Sequence, residues 1–250
     1  MTQTQTQTRE ITMIQALNEA MREEMGRDER VFIMGEDIQS GVYGASGGLF
    51  AEFGGERVRD CPLSENAFMG AAVGAAAVGM RPIVESRFCF MWVAMDSLIS
   101  QAAKMRYMFG GQASLPIVYR AGMSYGTSSA AHHSDRPHPV FMNIPGFKVF
   151  FPSNAYDAKG LLKTAIRDDD PVMFCEDTTI AVPGLTSPKS PIPYLWALRT
   201  SKEKALMSQS SPSAAWFLGP WPPRRNLAKR VSPVKWWTRA PWCPWTRTRF

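Results

Sequence analysis

Glu65 is the residue of this 250-residue chain best placed to do chemistry. It opens ENAFMGAAVGAAAVG at 65–79, a run with almost no other polar side chain. Ser64 before it is a good N-cap type, so the carboxyl is expected in the first turn of a helix, beside the positive end of the dipole. Gly70, Gly74 and Gly79 leave that helix smooth, and another backbone or a flat ligand can approach it closely. A lone carboxylate at the mouth of an apolar helix is costly without a partner. Local sequence therefore leaves two readings open: a cap and nothing more, or an acid that meets a ligand.

Other groups could join it. Glu36-Asp37 closes the short apolar run 31–34. His132, His133 and His138 all fall in the polar stretch 120–140, and a structureless stretch of that size in a compact domain is usually functional. The histidines are not a metal pair: neighbours in sequence cannot both face one ion unaided, and no third ligand is spaced for it. Cys61, Cys89, Cys175 and Cys243 show no CxxC spacing and read as reduced thiols. No P-loop and no GxGxxG after a strand is present, so the common phosphate-cradling loops are excluded.

Positioning these groups falls to an alternation of strands and helices. A helix is expected from Thr12 to Arg27-Asp28, with Ile14, Leu17, Met21 and Met25 on its apolar face. Val31–Met34 reads as a strand of the buried parallel kind. A Gly/Ser-rich loop at 39–48, a short helix near Leu49–Phe53 and a strand ending before Pro62 lead to Glu65. Then come a strand from Ile83 to about Phe90, a helix from Val93 to Met108 stopped by Gly110-Gly111, and a strand at Leu115–Tyr119. Phe147–Phe151 and Pro171–Cys175 are further strands, and 154–167 is a helix capped by Asn154 or Ser153. The fold class is α/β, a mostly parallel sheet flanked by helices. Ligands of such sheets sit at the carboxyl ends of the strands, where Glu36, Glu65, the Phe88–Phe90 segment and the histidine stretch all fall.

Composition divides the chain near Val182. Residues 1–180 carry 16 basic and 21 acidic side chains; residues 181–250 carry 12 basic ones and a single acid, Glu203. The second part also holds seven of the eight tryptophans and eleven of the nineteen prolines, with no helical or strand period. The expected layout is a disordered lead-in at 1–10, one domain at 11–180 and an atypical basic, disordered tail at 181–250. No run of eighteen apolar residues argues for a membrane span, the first residues lack a signal peptide's apolar core, and the cytoplasm is the expected compartment.

Five stretches now point to a family: MGED at 34–37, CPLSENAFMGAAVGAAAVGMRP at 61–82, AMDSLISQAAKMRYMFGG at 94–111, HHSDRPHP at 132–139, and IPGFKVFFPSNAYDAKGLLKTAIRDDDPVMFCED at 144–177. Over about residues 10–180 the chain resembles the β subunit of thiamine-diphosphate-dependent 2-oxo acid dehydrogenases of the pyruvate, branched-chain and acetoin type. The resemblance implies a transketolase-like pyrimidine-binding domain that shares its active site with an α subunit. That α subunit would hold the diphosphate and Mg²⁺, and a lipoyl-bearing acyltransferase component would take the acyl group. It implies that Glu65 bonds ring nitrogen N1′ of the aminopyrimidine, a role that needs a protonated or proton-sharing carboxyl and a water-poor helix start. It further implies that Phe90, with Phe88 as the alternative, packs on the ring, that Glu36 lies in the cofactor site, and that His133 faces the channel where the lipoyl arm arrives. Some members hold a structural K⁺ on backbone carbonyls, which by position are those of Ile117, Ala165, Ile166, Asp168 and Asp170.

The sequence departs from the family in three places. The segment around Cys89 is one residue short, and Asp135-Arg136-Pro137-His138 differs from the commonest loop. From about residue 181 the family continues with a second α/β domain, whereas this chain switches composition in a way that resembles translation out of frame. A truncated, inactive subunit keeping only the pyrimidine domain is thus an alternative to the working enzyme subunit. A nucleic-acid-binding protein acting through the basic tail is a third reading, disfavoured because nothing gathers the tail's charges on one face.

Overall fold

The computed structural model describes residues 8–87, 90–123, 130–136, 138–177 and 186–188. The expectations placed on Phe88, Cys89 and Cys243, on residues 1–7, and on 178–185 and 189–250 lie outside the described residues. In chain order the elements begin with β1 (Thr8–Glu10), α1 (Met13–Arg27), β2 (Val31–Gly35), α2 (Leu49–Phe53), β3 (Val58–Asp60) and α3 (Glu65–Ala77). β4 (Arg81–Arg87) is followed by a 3-10 turn at Phe90–Ala94, a π-helical segment at Asp96–Ala102 and α4 (Ala103–Met108). β5 (Val118–Met123), a 3-10 turn at Ala131–His133, α5 (His138–Met142), β6 (Lys148–Phe150), α6 (Ala155–Arg167), β7 (Val172–Asp177) and β8 (Thr186–Pro188) complete the order.

Six strands form one sheet in the order β3-β2-β4-β5-β7-β6, and every pairing in it is parallel. A parallel sheet must be covered on both faces. One face packs on α1 and α6, where Leu17, Met21, Ala158 and Leu162 meet Ile33, Ile83 and Val118. The other packs on α3 and the 90–108 segment, where Phe68, Met69, Ala72 and Leu98 meet Val84, Tyr119 and Met173. A separate antiparallel ribbon joins β1 to β8, so residues 8–10 and 186–188 pair with each other although the sequence places them in the lead-in and the tail.

Thr12 starts α1 with a full capping box: its hydroxyl accepts from Gln15 N–H, and the Gln15 side chain accepts from Thr12 N–H. The buried face is set by Met13, Leu17 and Met21, while Ile14 is 41% exposed at its edge. Between Val93 and Met108 the single expected helix is broken into three, and the cause is tertiary. The wider π turns bring Ser97 onto α3, where its hydroxyl donates to Asn66 Oδ1 at 3.4 Å and lies where a Cβ on Gly70 would be only 3.2 Å away.

α1 and α6 are also joined by charge. Lys159 Nζ donates to Glu19 Oε2 at 2.9 Å and pairs with Glu23 Oε1 at 2.6 Å, and Lys163 reaches Glu23 as well. Burial pushes the Glu23 carboxyl up, but hydrogen bonds from Lys159 and Lys163 outweigh it and hold the group below its ordinary value. Its contribution to stability is therefore full above the free glutamate range, near 4.3, and fades as pH falls through the lower folded value. Glu23 is 39% exposed, so solvent limits the pair to about 1 kcal/mol or less. Acid unfolding followed by circular dichroism should show Glu23→Gln weaker than the parent at pH 7, with the difference closing below about pH 4.

Candidate functional site

The strand order reverses between β2 and β4: the chain leaves β2 for β3 on one side, and β4 lies on the other. A crevice opens outside the carboxyl ends of two strands so arranged. Glu36 follows β2 directly and is buried. Glu65 opens α3 after β3, Phe90 opens the turn after β4, and His133 closes the turn after β5. Four groups spread over a hundred positions of sequence thus reach one edge of the sheet.

Two of them touch. The rings of Phe90 and His133 meet edge to face, with centroids 5.3 Å apart and an interplanar angle of 80°. α3 packs against the Phe90–Ala94 turn and the π segment, and Asn66 in its first turn accepts from Ser97 of the π segment. Glu65 itself is half-buried. The water-poor helix start is therefore incomplete in the chain by itself. Ser64 occupies the N-cap position with φ −154° and ψ 70°, yet its hydroxyl makes no capping bond, which corrects the expectation of a side-chain cap there. Phe90 opens a 3-10 turn, so it is placed by that turn and not by strand alternation.

The three histidines separate. His133 joins Phe90, and His132 is exposed. His138 starts α5 and lies against Phe151, centroids 5.0 Å apart. Burial, then the charge of Arg136, pushes the His138 imidazole below its ordinary value. The stretch 120–140 is less structureless than its composition suggests, since β5 runs to Met123 and α5 begins at His138.

Sequence reasoning missed two features. Ser86 is buried, and its hydroxyl has no hydrogen-bond partner among the described residues. It shares strand parity with Val84, which belongs to the core under α3, so it faces the side that carries Glu65. The second feature is a buried charge cluster on the opposite face. Arg120 donates through Nη1 to Glu85 Oε2 at 2.6 Å and through Nε and Nη2 to Glu176 at 2.7 and 2.9 Å. Burial pushes the guanidinium down, but Glu176 and Glu85 overcome it and raise it, while burial pushes the Glu176 carboxyl up. These groups, with Ser86 at the strand end, Tyr43 and Ala45, line a cavity of about 70 Å³.

The five residues of the implied potassium site fall just before β5, at the end of α6 and in the α6–β7 connection, at the end of the sheet away from Glu65. Arg81 lies among them: its Nε donates to the Ile166 carbonyl at 2.9 Å and its Nη2 to the Asp168 carbonyl at 2.8 Å. The Ala165 carbonyl accepts from Asp168 N–H and the Ile117 carbonyl from Val172 N–H, and Asp170 pairs with Arg106 and Lys148. Among the described residues no group of three or more His, Cys, Asp or Glu could hold a metal ion, and no helix is long and apolar enough to cross a membrane.

The cofactor implied by the resemblance can be tested against these residues. An aminopyrimidine needs a carboxyl for a ring nitrogen, an aromatic face and polar atoms for its amino group. Glu65, half-buried Phe90 and the hydroxyl of Ser86, which has no partner among the described residues, are of those kinds, and they fit.

The fold and this edge define an α/β protein with a ligand crevice at a strand-order switch. Comparison with known proteins makes the class specific: residues 9–181 match the transketolase pyrimidine-binding domain family, and the chain belongs to it. It is 50% identical over 181 residues to the acetoin:2,6-dichlorophenolindophenol oxidoreductase subunit beta of Cupriavidus necator, covering 67% of this chain and 53% of that one. It is 50% identical over 169 residues to the 2-oxoisovalerate dehydrogenase subunit beta of Bacillus subtilis, covering 66% and 52%. With the pyruvate dehydrogenase E1 component subunit beta of Rickettsia felis it shares 45% over 190 residues, covering 74% and 58%. The chain thus spans about half the length of the curated relatives it matches. Among solved structures, a split-gene transketolase in an inactive beta4 tetramer has the same fold, with a TM-score of 0.58 at 20% identity over 73% of this chain and 56% of that one.

Proposed function

We propose that this chain is the β-type subunit of a thiamine-diphosphate-dependent 2-oxo acid dehydrogenase component and supplies the pyrimidine half of a site shared with an α subunit. The observation that carries the reading is the placement of Glu65, Phe90 and His133 after β3, β4 and β5 beside the strand-order switch, with the Phe90 and His133 rings in contact. The bound cofactor supplies the electron sink for breaking a bond beside a carbonyl carbon. Glu65 holds the ring nitrogen and keeps or returns its proton, Phe90 offers the ring a face, and Ser86 and Glu36 line the floor. His133 holds a proton at the mouth, where a lipoyl-bearing second component presents its acceptor.

The partner also has a physical role. Ala67, Ala71, Gly74 and Val78 leave an apolar, small-residue face of α3 exposed. A partner covering that face would bury its apolar surface against a second chain. Diphosphate and Mg²⁺ are assigned to the partner, because no diphosphate-binding motif is found in this sequence. A structural K⁺ at Ile117, Ala165, Ile166, Asp168 and Asp170 must share carbonyls with Arg81, so a melting temperature higher in KCl than in NaCl would support it. Pyruvate and the branched-chain 2-oxo acids are the proposed substrates, the names of the relatives adding acetoin to those worth testing. The proposed compartment is the reducing cytoplasm, consistent with free Cys61 and Cys175.

A second reading is favoured by one observation: composition changes near Val182, beyond which the chain carries 12 basic side chains, one acid and seven of the eight tryptophans. We propose that residues 181–250 are read out of frame and that the chain stands in for a longer subunit. Sequencing the locus decides this, since an uninterrupted frame with no second domain in any register removes the proposal. The functional test mixes this chain with an α subunit, thiamine diphosphate and Mg²⁺, and follows 2,6-dichlorophenolindophenol reduction with pyruvate, 2-oxoisovalerate or acetoin. Dye reduction that needs both chains supports a working subunit. Absence of association with the α subunit supports the truncated one.

A further inference from the structure

We infer that Trp92, Asp135 and Arg136 form a two-point latch that positions His133 against Phe90. The importance of His133 rests on the function proposed above, but the latch itself stands on geometry. The turn at Ala131–His133 is entered through Ala130 at φ 66° and ψ 175°, a backbone region disfavoured for any residue with a Cβ. A turn entered that way persists only where its surroundings hold it. Inside the turn the Ser134 hydroxyl donates to the Ala130 carbonyl at 2.8 Å.

Two contacts just beyond tie the turn to the sheet. Trp92 Nε1–H donates to Asp135 Oδ2 at 3.0 Å, and Arg136 Nη2 donates to Asp177 Oδ2 at 2.9 Å. The Trp92 ring lies nearly parallel to buried Phe141, at 8° with centroids 6.3 Å apart, and Asp177 is buried at the end of β7. Trp92 also belongs to the 3-10 turn that carries Phe90. One bond thus fixes the histidine turn to the very segment whose ring His133 must meet.

Trp92, Asp135 and Arg136 are positioning residues, and the test reads the place of His133 directly. The full chain, without cofactor, is treated with diethyl pyrocarbonate, and the modification rates of His132, His133 and His138 are followed by mass spectrometry. Trp92→Phe keeps the ring on Phe141 and loses only the donor. Asp135→Ala loses the acceptor, and Asp135→Asn keeps an acceptor oxygen. His133 should react roughly three- to tenfold faster in Trp92→Phe and Asp135→Ala, as the loss of one hydrogen bond allows. Asp135→Asn should stay near the parent rate, and His138, held on Phe151, should not change. An unchanged His133 rate overturns the latch. So does an equal rise at all three histidines, which shows that these residues only support the fold. Because no cofactor is present, failure here leaves the thiamine reading standing, and absent dye reduction leaves the latch untouched.

Discussion

Glu65→Gln should leave the chain folded and remove its contribution to turnover. The side chain is half-buried, and no hydrogen bond that builds α3 depends on it, since the helix begins without a side-chain cap. Glutamine keeps the shape and an acceptor oxygen but cannot hold or return a proton. Proton transfer by a positioned side chain is typically worth about 10²–10⁴ in rate, and a loss of that size in dye reduction is expected. The melting temperature should move by no more than a few degrees, as for a surface substitution away from special features. A variant keeping more than about one tenth of parent turnover would mean that Glu65 is a helix-start residue and that the proton is handled elsewhere.

Arg120→Met should be the most damaging single change to the fold. Arg120 is 3% exposed and carries three short charge-assisted bonds to Glu85 and Glu176. Removing it strands two buried carboxylates, and breaking such a pair costs about 3–5 kcal/mol. That is a large part of the roughly 5–15 kcal/mol that holds a domain together. The loss should depend on pH. Burial already pushes the Glu176 carboxyl up, and without Arg120 nothing opposes that push. A group with a raised folded value favours folding at low pH and loses that contribution as pH rises through it. The variant should therefore melt higher at pH 5 than at pH 8. Replacing Glu85 and Glu176 by Gln in the same chain should recover much of the stability, because the cost lies in the unpaired charge.

The sequence showed the parts whose causes are local. Thr12 caps α1 and Asn154 caps α6, because cap chemistry acts within a few residues. It did not show that Val93–Met108 divides into turn, π segment and α4. That division follows from the fit of Ser97 against Asn66 and Gly70, which no period within the segment encodes. Nor did it show the Arg120 cluster, whose carboxylates lie 35 and 56 positions away. The visible signal was a charged residue inside each of three apolar strands, at Glu85, Arg120 and Glu176. Charges in buried parallel strands need partners, so they could have been paired before any coordinates. Of the candidate site, the residue types and their shared edge were legible. The edge-to-face contact of Phe90 with His133 was not, because it depends on loop backbones rather than on alternation.

The measurement that most directly tests the account is the affinity of an α subunit for thiamine diphosphate, titrated by calorimetry in Mg²⁺ with and without this chain. If the chain carries the pyrimidine half of the site, its addition should tighten binding by at least about tenfold, equivalent to about 1.4 kcal/mol. Part of that gain should disappear with Glu65→Ala. An affinity unchanged by the chain, although the two proteins associate, would contradict the central claim.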